Sequence, residues 1–167
     1  WTYPGKNLLF MGGEFAQAGE WDSGVALPWE RSHEALPAGV ALMLRDLNHL
    51  QHDHPALSEW DHDARGFQWL NGDDAEQSVI AFLRCSPGET LVVALNFTPV
   101  PRPGYRIPVS AAGYYREIFN SDAECYGGSG TGNGGGLQSD PVPSHGREHS
   151  LNAHLPPLGG IVLRYES

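Results

Sequence analysis

The stretch that decides the fold is QSVIAFLRCSPGETLVVALNF, residues 77–97. Two runs rich in β-branched and aromatic residues, 77–85 and 90–97, flank the turn cluster SPGE. Runs of this kind joined by a short turn predict two antiparallel strands connected as a hairpin. The surrounding sequence repeats this pattern on both sides, which predicts a larger antiparallel domain.

Five further segments have the same strand-like character. GFQWL at 66–70 precedes the hairpin across the turn cluster NGDDAE, and four more segments follow it: YRIPV, YYREIFN, EHSLNAHL and GIVLRYE. About seven short strands separated by turns predict a β-sandwich. Residues 123–147 contain eight glycines and are predicted to be a long loop. Their spacing matches the glycine frame of a dinucleotide fingerprint, but the strand-to-helix context is missing, so no nucleotide cofactor is predicted.

The first part of the chain has a different pattern. In NLLFMGGEFAQAGEW, residues 7–21, four apolar residues lead into two glycines and then into polar side chains. This predicts a short buried strand followed by a loop at its carboxyl end, where parallel α/β folds carry their chemistry. An amphipathic helix is predicted over 37–51 from apolar residues spaced three and four apart: Leu36, Val40, Met43, Leu44, Leu47 and Leu50. A buried parallel strand needs parallel neighbours, so the chain is expected to be part of something longer.

Composition limits the partners and the compartment. Ten Lys plus Arg against 20 Asp plus Glu give a net charge of −10, which disfavours nucleic acid and anionic membrane surfaces. No apolar run approaches the roughly 20 residues that cross a bilayer, and a soluble protein is expected. Cys85 and Cys125 lack the paired spacing of a zinc site. Reduced thiols in the cytoplasm are therefore the expected state.

Several residue types suggest sugar chemistry without establishing it. Glu14, Glu20 and Asp22 could supply the two carboxylates of a glycoside-cleaving site, but a solvated acidic loop has the same composition. Aromatic rings offer flat faces on which pyranose rings stack, although large aromatics are more often core residues. The candidates are Trp21, Trp29, Trp60 and Trp69. Four histidines at 49, 52, 54 and 62 complete no metal-ligand pattern, so no metal site is predicted.

A family resemblance rests on several segments taken together. These are GKNLLFMGGEFAQAGEW, DLNHL, GFQWL, LVVALNFTPVPRPGYRIPV, YYREIFNSDAECYGGSG and SHGREHSLNAHLPPLGGIVLRY. In order, they resemble the C-terminal end of bacterial 1,4-α-glucan (glycogen) branching enzymes, which are α-amylase-type glucanotransferases. The resemblance implies that residues 1–60 are the last strand, loop and closing helix of a catalytic (β/α)₈ barrel. Residues 61–167 would then be the all-β C-terminal domain. Gly13 departs from the pattern, because these enzymes more often have Asn there.

The resemblance also implies a function. The family cleaves an α-1,4 link through an aspartate nucleophile and a glutamate acid/base, then transfers the glucan chain to a 6-hydroxyl. None of the acidic residues here matches those motifs, so no catalytic residue is predicted and the chain alone is expected to be inactive. Its implied partners are α-glucan and an upstream catalytic barrel. The alternative is a stand-alone carbohydrate-binding or structural β-module.

Four residues are predicted to contact glucan. The resemblance implies that Glu14, Trp21 and Asp22 lie on a loop at the active-site face of the barrel. Trp69 lies near the predicted junction between the domains, and such junctions favour ligand grooves. Polar neighbours of Trp69, among them Asn71 and Asp73, could hydrogen-bond to sugar hydroxyls. Against this, alternation places Trp69 on the same strand face as Phe67, where both side chains could be buried.

Overall fold

The computed structural model describes residues 1–166. They form one α-helix and eight β-strands: α1 (Ala35–Asp53), β1 (Phe67–Asp74), β2 (Val79–Ser86), β3 (Glu89–Asn96), β4 (Arg102–Val109), β5 (Tyr114–Asn120), β6 (Gly136–Gln138), β7 (His149–Leu155) and β8 (Gly159–Glu166). Nowhere in this part of the chain does a helix combine the length and apolar character needed to cross a bilayer. The mainly β character predicted from the sequence is confirmed.

The strands form two sheets in which every pair is antiparallel. The larger sheet has six strands in the order β1-β2-β3-β8-β5-β6, and β4 and β7 form a separate pair. Strands β2 and β3 pair without interruption from Val79↔Asn96 to Ser86↔Glu89, which confirms the hairpin predicted at 77–97. Strand β1 continues to Asp74, so it includes much of the segment predicted as a turn.

The main core lies between the two sheets. Buried apolar side chains come from both of them: Ala81, Val92, Ile107, Leu151 and Leu163. Along β7, Leu151, Ala153 and Leu155 are buried while Asn152 and His154 are exposed, as expected for a strand with one face in a core. Two sheets that bury their apolar faces against each other make a sandwich, which confirms that prediction.

Helix α1 covers part of the outer face of the larger sheet. A second cluster of buried side chains joins Leu50 of α1 to Phe82, Leu91, Val93 and Val162 of that sheet. The helix predicted at 37–51 is therefore confirmed and is slightly longer than predicted. Leu50 near its C-terminal end and Gly39 near its N-terminal end are buried, whereas Leu36 in the first turn is 67% exposed.

The glycine-rich segment is more ordered than its composition suggests. It contains β6, a strand that the sequence analysis missed, which pairs with β5. The Asp122 carboxylate accepts hydrogen bonds from the backbone amides of Ser129 and Thr131 and from the Ser129 hydroxyl. The Tyr126 hydroxyl donates to Asp46 of α1 at 2.9 Å. The segment thus connects the larger sheet to the helix.

The strand predicted at residues 7–12 is absent. This part of the chain forms no strand, and Leu8 is 86% exposed. Phe10 packs edge-on against Trp21, with ring centroids 5.2 Å apart. An extended segment becomes a strand only when a neighbour accepts and donates its backbone hydrogen bonds. Within residues 1–166 no strand lies beside it, so the prediction of a buried strand is wrong for this chain.

A buried arginine attaches the N-terminal segment to the β-domain. Arg84 of β2 is fully buried, and its guanidinium donates to Asp61 Oδ1 at 2.9 Å. It also donates to the carbonyl oxygens of Thr2 (2.7 Å), Leu57 (3.0 Å) and Gly66 (3.3 Å). The Asp61 carboxylate in turn accepts from the backbone amide of Gly5 at 3.0 and 3.1 Å. The charge of Arg84 is therefore paired, and all three nitrogens of its guanidinium donate.

Candidate functional site

Trp69 lies on β1, the edge strand of the six-stranded sheet, within an aromatic cluster. Its indole packs edge-on against Phe67 (centroids 4.9 Å apart) and Phe82 (5.9 Å), and Tyr3 lies 6.3 Å away. Phe82 is buried, whereas Trp69 is 47% exposed. The predicted shared face of Phe67 and Trp69 is confirmed. The cluster holds the indole in place and leaves about half of it accessible.

The backbone of β1 is irregular next to Trp69. Pairing with β2 shifts between Trp69 and Asn71 and again between Asn71 and Asp74. Bulges of this kind bend a strand and re-aim its side chains. The indole also lies over Gly72, because a Cβ added there would come within 3.1 Å of its Cδ2 and Cε3. A glycine at 72 therefore makes room for the indole.

The polar neighbours of Trp69 have different roles. Asn71 is buried, and its Nδ2 donates to the Tyr105 hydroxyl at 2.8 Å. That hydroxyl donates to Asp74 Oδ2, also at 2.8 Å. Burial first, and then this bond to Asp74, raise the pKa of Tyr105, so its hydroxyl stays protonated and remains a donor. Asn71 is therefore engaged in an interior chain of hydrogen bonds and does not flank the indole on the surface as expected, whereas Asp73 is exposed.

The other three predicted residues lie in the N-terminal segment. Glu14 belongs to the short 3-10 helix Gly13–Phe15 and is partly buried. Trp21 is exposed beside Phe10, and Asp22 Oδ1 accepts from the Gly24 amide at 2.7 Å. Asp22 also lines a cleft of about 270 Å³. No hydrogen bond or aromatic pair within the described chain connects these three residues to Trp69, so the structure gives two separate candidate regions.

The histidines do not gather into one site. His54 Nδ1 lies 2.7 Å from Glu89 Oε1, and His52 pairs with its neighbour Asp53. Over residues 1–166, no three His, Cys, Asp or Glu side chains are placed to hold a metal ion.

Sequence reasoning missed two tyrosines near Trp69. Tyr3 joins the aromatic cluster although it is far from Trp69 along the chain, and its hydrophobicity alone gives no signal of this contact. Tyr105 was assigned only to a strand. Its inward position follows from alternation with Ile107, and a polar end on a buried side chain could have indicated a partner.

The all-β part of the chain matches a known family. A family model described as "Alpha amylase, C-terminal all-beta domain" matches residues 69–166. The chain belongs to this family. The match to the alpha-amylase C-terminal domain begins at Trp69 itself and includes all of β2 to β8.

Similar proteins extend over nearly the whole chain. The "1,4-alpha-glucan branching enzyme GlgB" of Cupriavidus pinatubonensis is 48% identical over 99% of this chain and 22% of its own length. The protein of the same description from Burkholderia thailandensis is 51% identical over 98% of this chain and 20% of its own length. The chain thus spans about a fifth of the length of these relatives. A solved alpha-amylase from H.orenii is 23% identical over 76% of this chain and 20% of its own length, with a TM-score of 0.44.

Proposed function

We propose that the chain is the C-terminal portion of a 1,4-α-glucan branching enzyme. Such an enzyme cleaves an α-1,4-linked glucan and transfers the freed chain to a 6-hydroxyl, which creates an α-1,6 branch. One observation carries the proposal: proteins described as branching enzymes are 48% and 51% identical to this chain over 98–99% of it.

The chain contributes structure and a glucan contact to this enzyme, and the chemistry belongs elsewhere. Covalent glycosyl transfer needs one carboxylate as nucleophile and another as acid/base, on opposite sides of the scissile bond. Most of the length of the relatives lies outside the matched part. We assign the catalytic carboxylates to that remainder and none to the present chain.

The surface of the N-terminal segment is evidence that a further domain packs against it. Large apolar side chains are exposed there: Leu8, Phe10, Val25, Trp29 and Leu36. Exposed apolar surface of this extent marks an interaction site. We assign it as the surface that the upstream catalytic barrel covers. A stand-alone β-module, the alternative, would leave all of these side chains in water.

The same proposal places the protein in the cytoplasm. Cys85 and Cys125 are both free, as thiols are in a reducing compartment. The net charge of −10 disfavours binding to nucleic acid or to an anionic membrane. The ligand is instead an uncharged α-glucan, and the barrel and this domain share it.

Trp69 is the residue through which the β-domain contacts glucan. A half-exposed indole that Phe67 and the buried Phe82 hold in place offers a flat apolar surface at small entropic cost. Glu14, Trp21 and Asp22 form a second contact on the N-terminal segment. Trp69→Ala should weaken maltoheptaose binding by about 1–3 kcal/mol if sugar stacking resembles the aromatic stacking of bases.

A matched control separates binding from folding. Trp29 is similarly exposed and also packs against an aromatic ring, that of Phe15, with centroids 5.2 Å apart. Both Trp69→Ala and Trp29→Ala are measured by titration calorimetry with maltoheptaose and by thermal unfolding. Trp69→Ala is expected to lose affinity while Trp29→Ala keeps it. Equal affinities in the two variants would remove the glucan role from Trp69.

A further inference from the structure

A polar groove lies next to the Trp69 platform. It has a volume of about 490 Å³ and is formed where the end of β1 meets β4. The side chains that give it its chemistry are Asp73, Asp74, Gln77, Tyr105, Arg106 and His145. Gly104 forms part of the wall with φ +72°, a conformation that favours glycine.

The groove and the indole of Trp69 lie against adjacent residues of β1. Gly72 lies directly under the indole, and its neighbours Asn71 and Asp73 line the groove. A Cβ at Gly72 would point toward the indole, whereas Asn71 and Asp73 line the groove, so the two features flank this bulged stretch of the strand. Strand β1 is the edge of its sheet, and within residues 1–166 no strand hydrogen-bonds to its outer edge.

The chemistry of the groove suits a neutral ligand that is rich in hydroxyl groups. The Asp73 and Asp74 carboxylates accept hydrogen bonds, whereas Gln77 and Arg106 carry N–H donors, so the groove offers a ligand both kinds of partner. A sugar hydroxyl both donates and accepts, and it can therefore bond to groups of either sign. The Asp73 carboxylate is exposed and forms no hydrogen bond or ion pair within residues 1–166, so it is available to such a ligand.

The interior side of the groove is already organised. The Tyr105 hydroxyl is held between Asn71 and Asp74, and Gln77 Nε2 donates to Asp74 Oδ2 at 3.3 Å. On the opposite wall, Arg106 pairs with Asp140 at 2.5 Å. Side chains that are fixed in this way lose little conformational freedom when a ligand arrives.

We propose that this groove is a second glucan subsite, which receives further glucose units of a chain whose other end stacks on Trp69. This inference rests on the proposed function, because it takes α-glucan as the ligand. An α-1,4-linked chain is curved, so it can pass around the free edge of β1 from the platform to the groove. A short oligosaccharide fills the platform alone, whereas a longer one reaches both.

Two substitutions and two ligand lengths test the proposal. Asp73→Ala removes the free carboxylate from the groove, and Glu76→Ala removes an equal charge from the neighbouring turn outside the groove. Affinities of the 167-residue chain for maltotriose and maltoheptaose are measured by titration calorimetry. Asp73→Ala should weaken maltoheptaose binding about fivefold, the value of one hydrogen bond, and leave maltotriose binding unchanged. Glu76→Ala should change neither.

Trp69→Ala in the same experiment separates this inference from the proposed function. If Trp69→Ala weakens both ligands while Asp73→Ala behaves like Glu76→Ala, the groove is not a subsite and the platform stands. If only Asp73→Ala weakens maltoheptaose binding, the groove binds glucan and the role of Trp69 fails. If neither variant differs from the unmodified chain, both are overturned. Thermal unfolding of Asp73→Ala is expected to match that of Glu76→Ala, because neither side chain forms a hydrogen bond within residues 1–166.

Discussion

Replacing Arg84 with methionine tests how the N-terminal segment is attached to the β-domain. Arg84→Met keeps most of the side-chain volume but removes the charge and all of its hydrogen bonds. The carboxylate of Asp61, 14% exposed, then loses its cation, and the carbonyl oxygens of Thr2, Leu57 and Gly66 lose their donor. Breaking a buried ion pair by removing one partner costs about 3–5 kcal/mol. We expect that loss from a domain whose total stability is about 5–15 kcal/mol.

Urea unfolding followed by circular dichroism measures this loss. With a slope of about 2 kcal/mol per M, the unfolding midpoint should fall by about 1.5–2.5 M. Arg65→Met is the matched control, because Arg65 also pairs with an aspartate, Asp63 at 2.6 Å, but does so in solvent. Solvent-exposed pairs contribute little to stability, so the control should lose only a small fraction of what Arg84→Met loses. Equal midpoints for the two variants would refute the reasoning.

Asp61→Asn completes a double-mutant cycle with Arg84→Met. In the unmodified chain, Asp61→Asn leaves the buried guanidinium without its counter-charge and should be strongly destabilising. In the Arg84→Met background the same change removes a carboxylate that is already unpaired, so its cost should be much smaller. Additive costs would show that the two side chains stabilise the protein independently, contrary to the pairing in the structure.

Two further predictions concern activity and pH. The 167-residue chain, incubated with amylose, should produce no α-1,6 branches, because no residue in it is assigned as a catalytic carboxylate; branching by a sample shown by mass to lack a longer enzyme would contradict this. Burial alone would raise the pKa of Asp122, but hydrogen bonds from Ser129 and Thr131 outweigh burial and lower that pKa. The stability that the ionised Asp122 carboxylate contributes is therefore complete above the ordinary carboxyl pKa of about 3.9, and this stability is lost as the pH falls further. The fall in melting temperature between about pH 6 and about pH 3 should therefore be smaller in Asp122→Asn than in the unmodified chain, and an equal fall would exclude this role.

The local sequence pattern was sufficient to predict most strands of the β-domain. In the hairpin at 77–97, two runs rich in β-branched and aromatic residues and the Pro-Gly turn between them favour the same structure, and the uninterrupted register of β2 and β3 confirms it. The pairing of β4 with β7 was not predictable in this way. Ile107 and Leu151 are far apart in the sequence, and nothing local to either strand specifies its partner.

The absent strand and the buried arginine have the same physical origin. Residues 7–12 have the composition of a buried strand, but a strand also needs neighbours, and the composition of a segment says nothing about them. Arg84 shows the opposite case. It lies two residues after the buried Phe82 in the same strand, where a charge is unfavourable, and Asp61 and three backbone carbonyls from distant segments make that position stable. In both cases the deciding partner lies outside the local pattern.

The candidate site depends on the same long-range attachment. Arg84 donates a hydrogen bond of 2.7 Å to the carbonyl oxygen of Thr2. The next residue, Tyr3, packs its ring against Phe67, Trp69 and Phe82. The position of the Trp69 indole is therefore set by two segments, the bulged strand that carries it and the N-terminal segment that Arg84 fixes. A side chain that stacks on a sugar must be held in place before the sugar arrives, since ordering it afterwards would reduce the affinity. The buried ion pair thus connects the stability of the β-domain to the geometry of the proposed glucan platform.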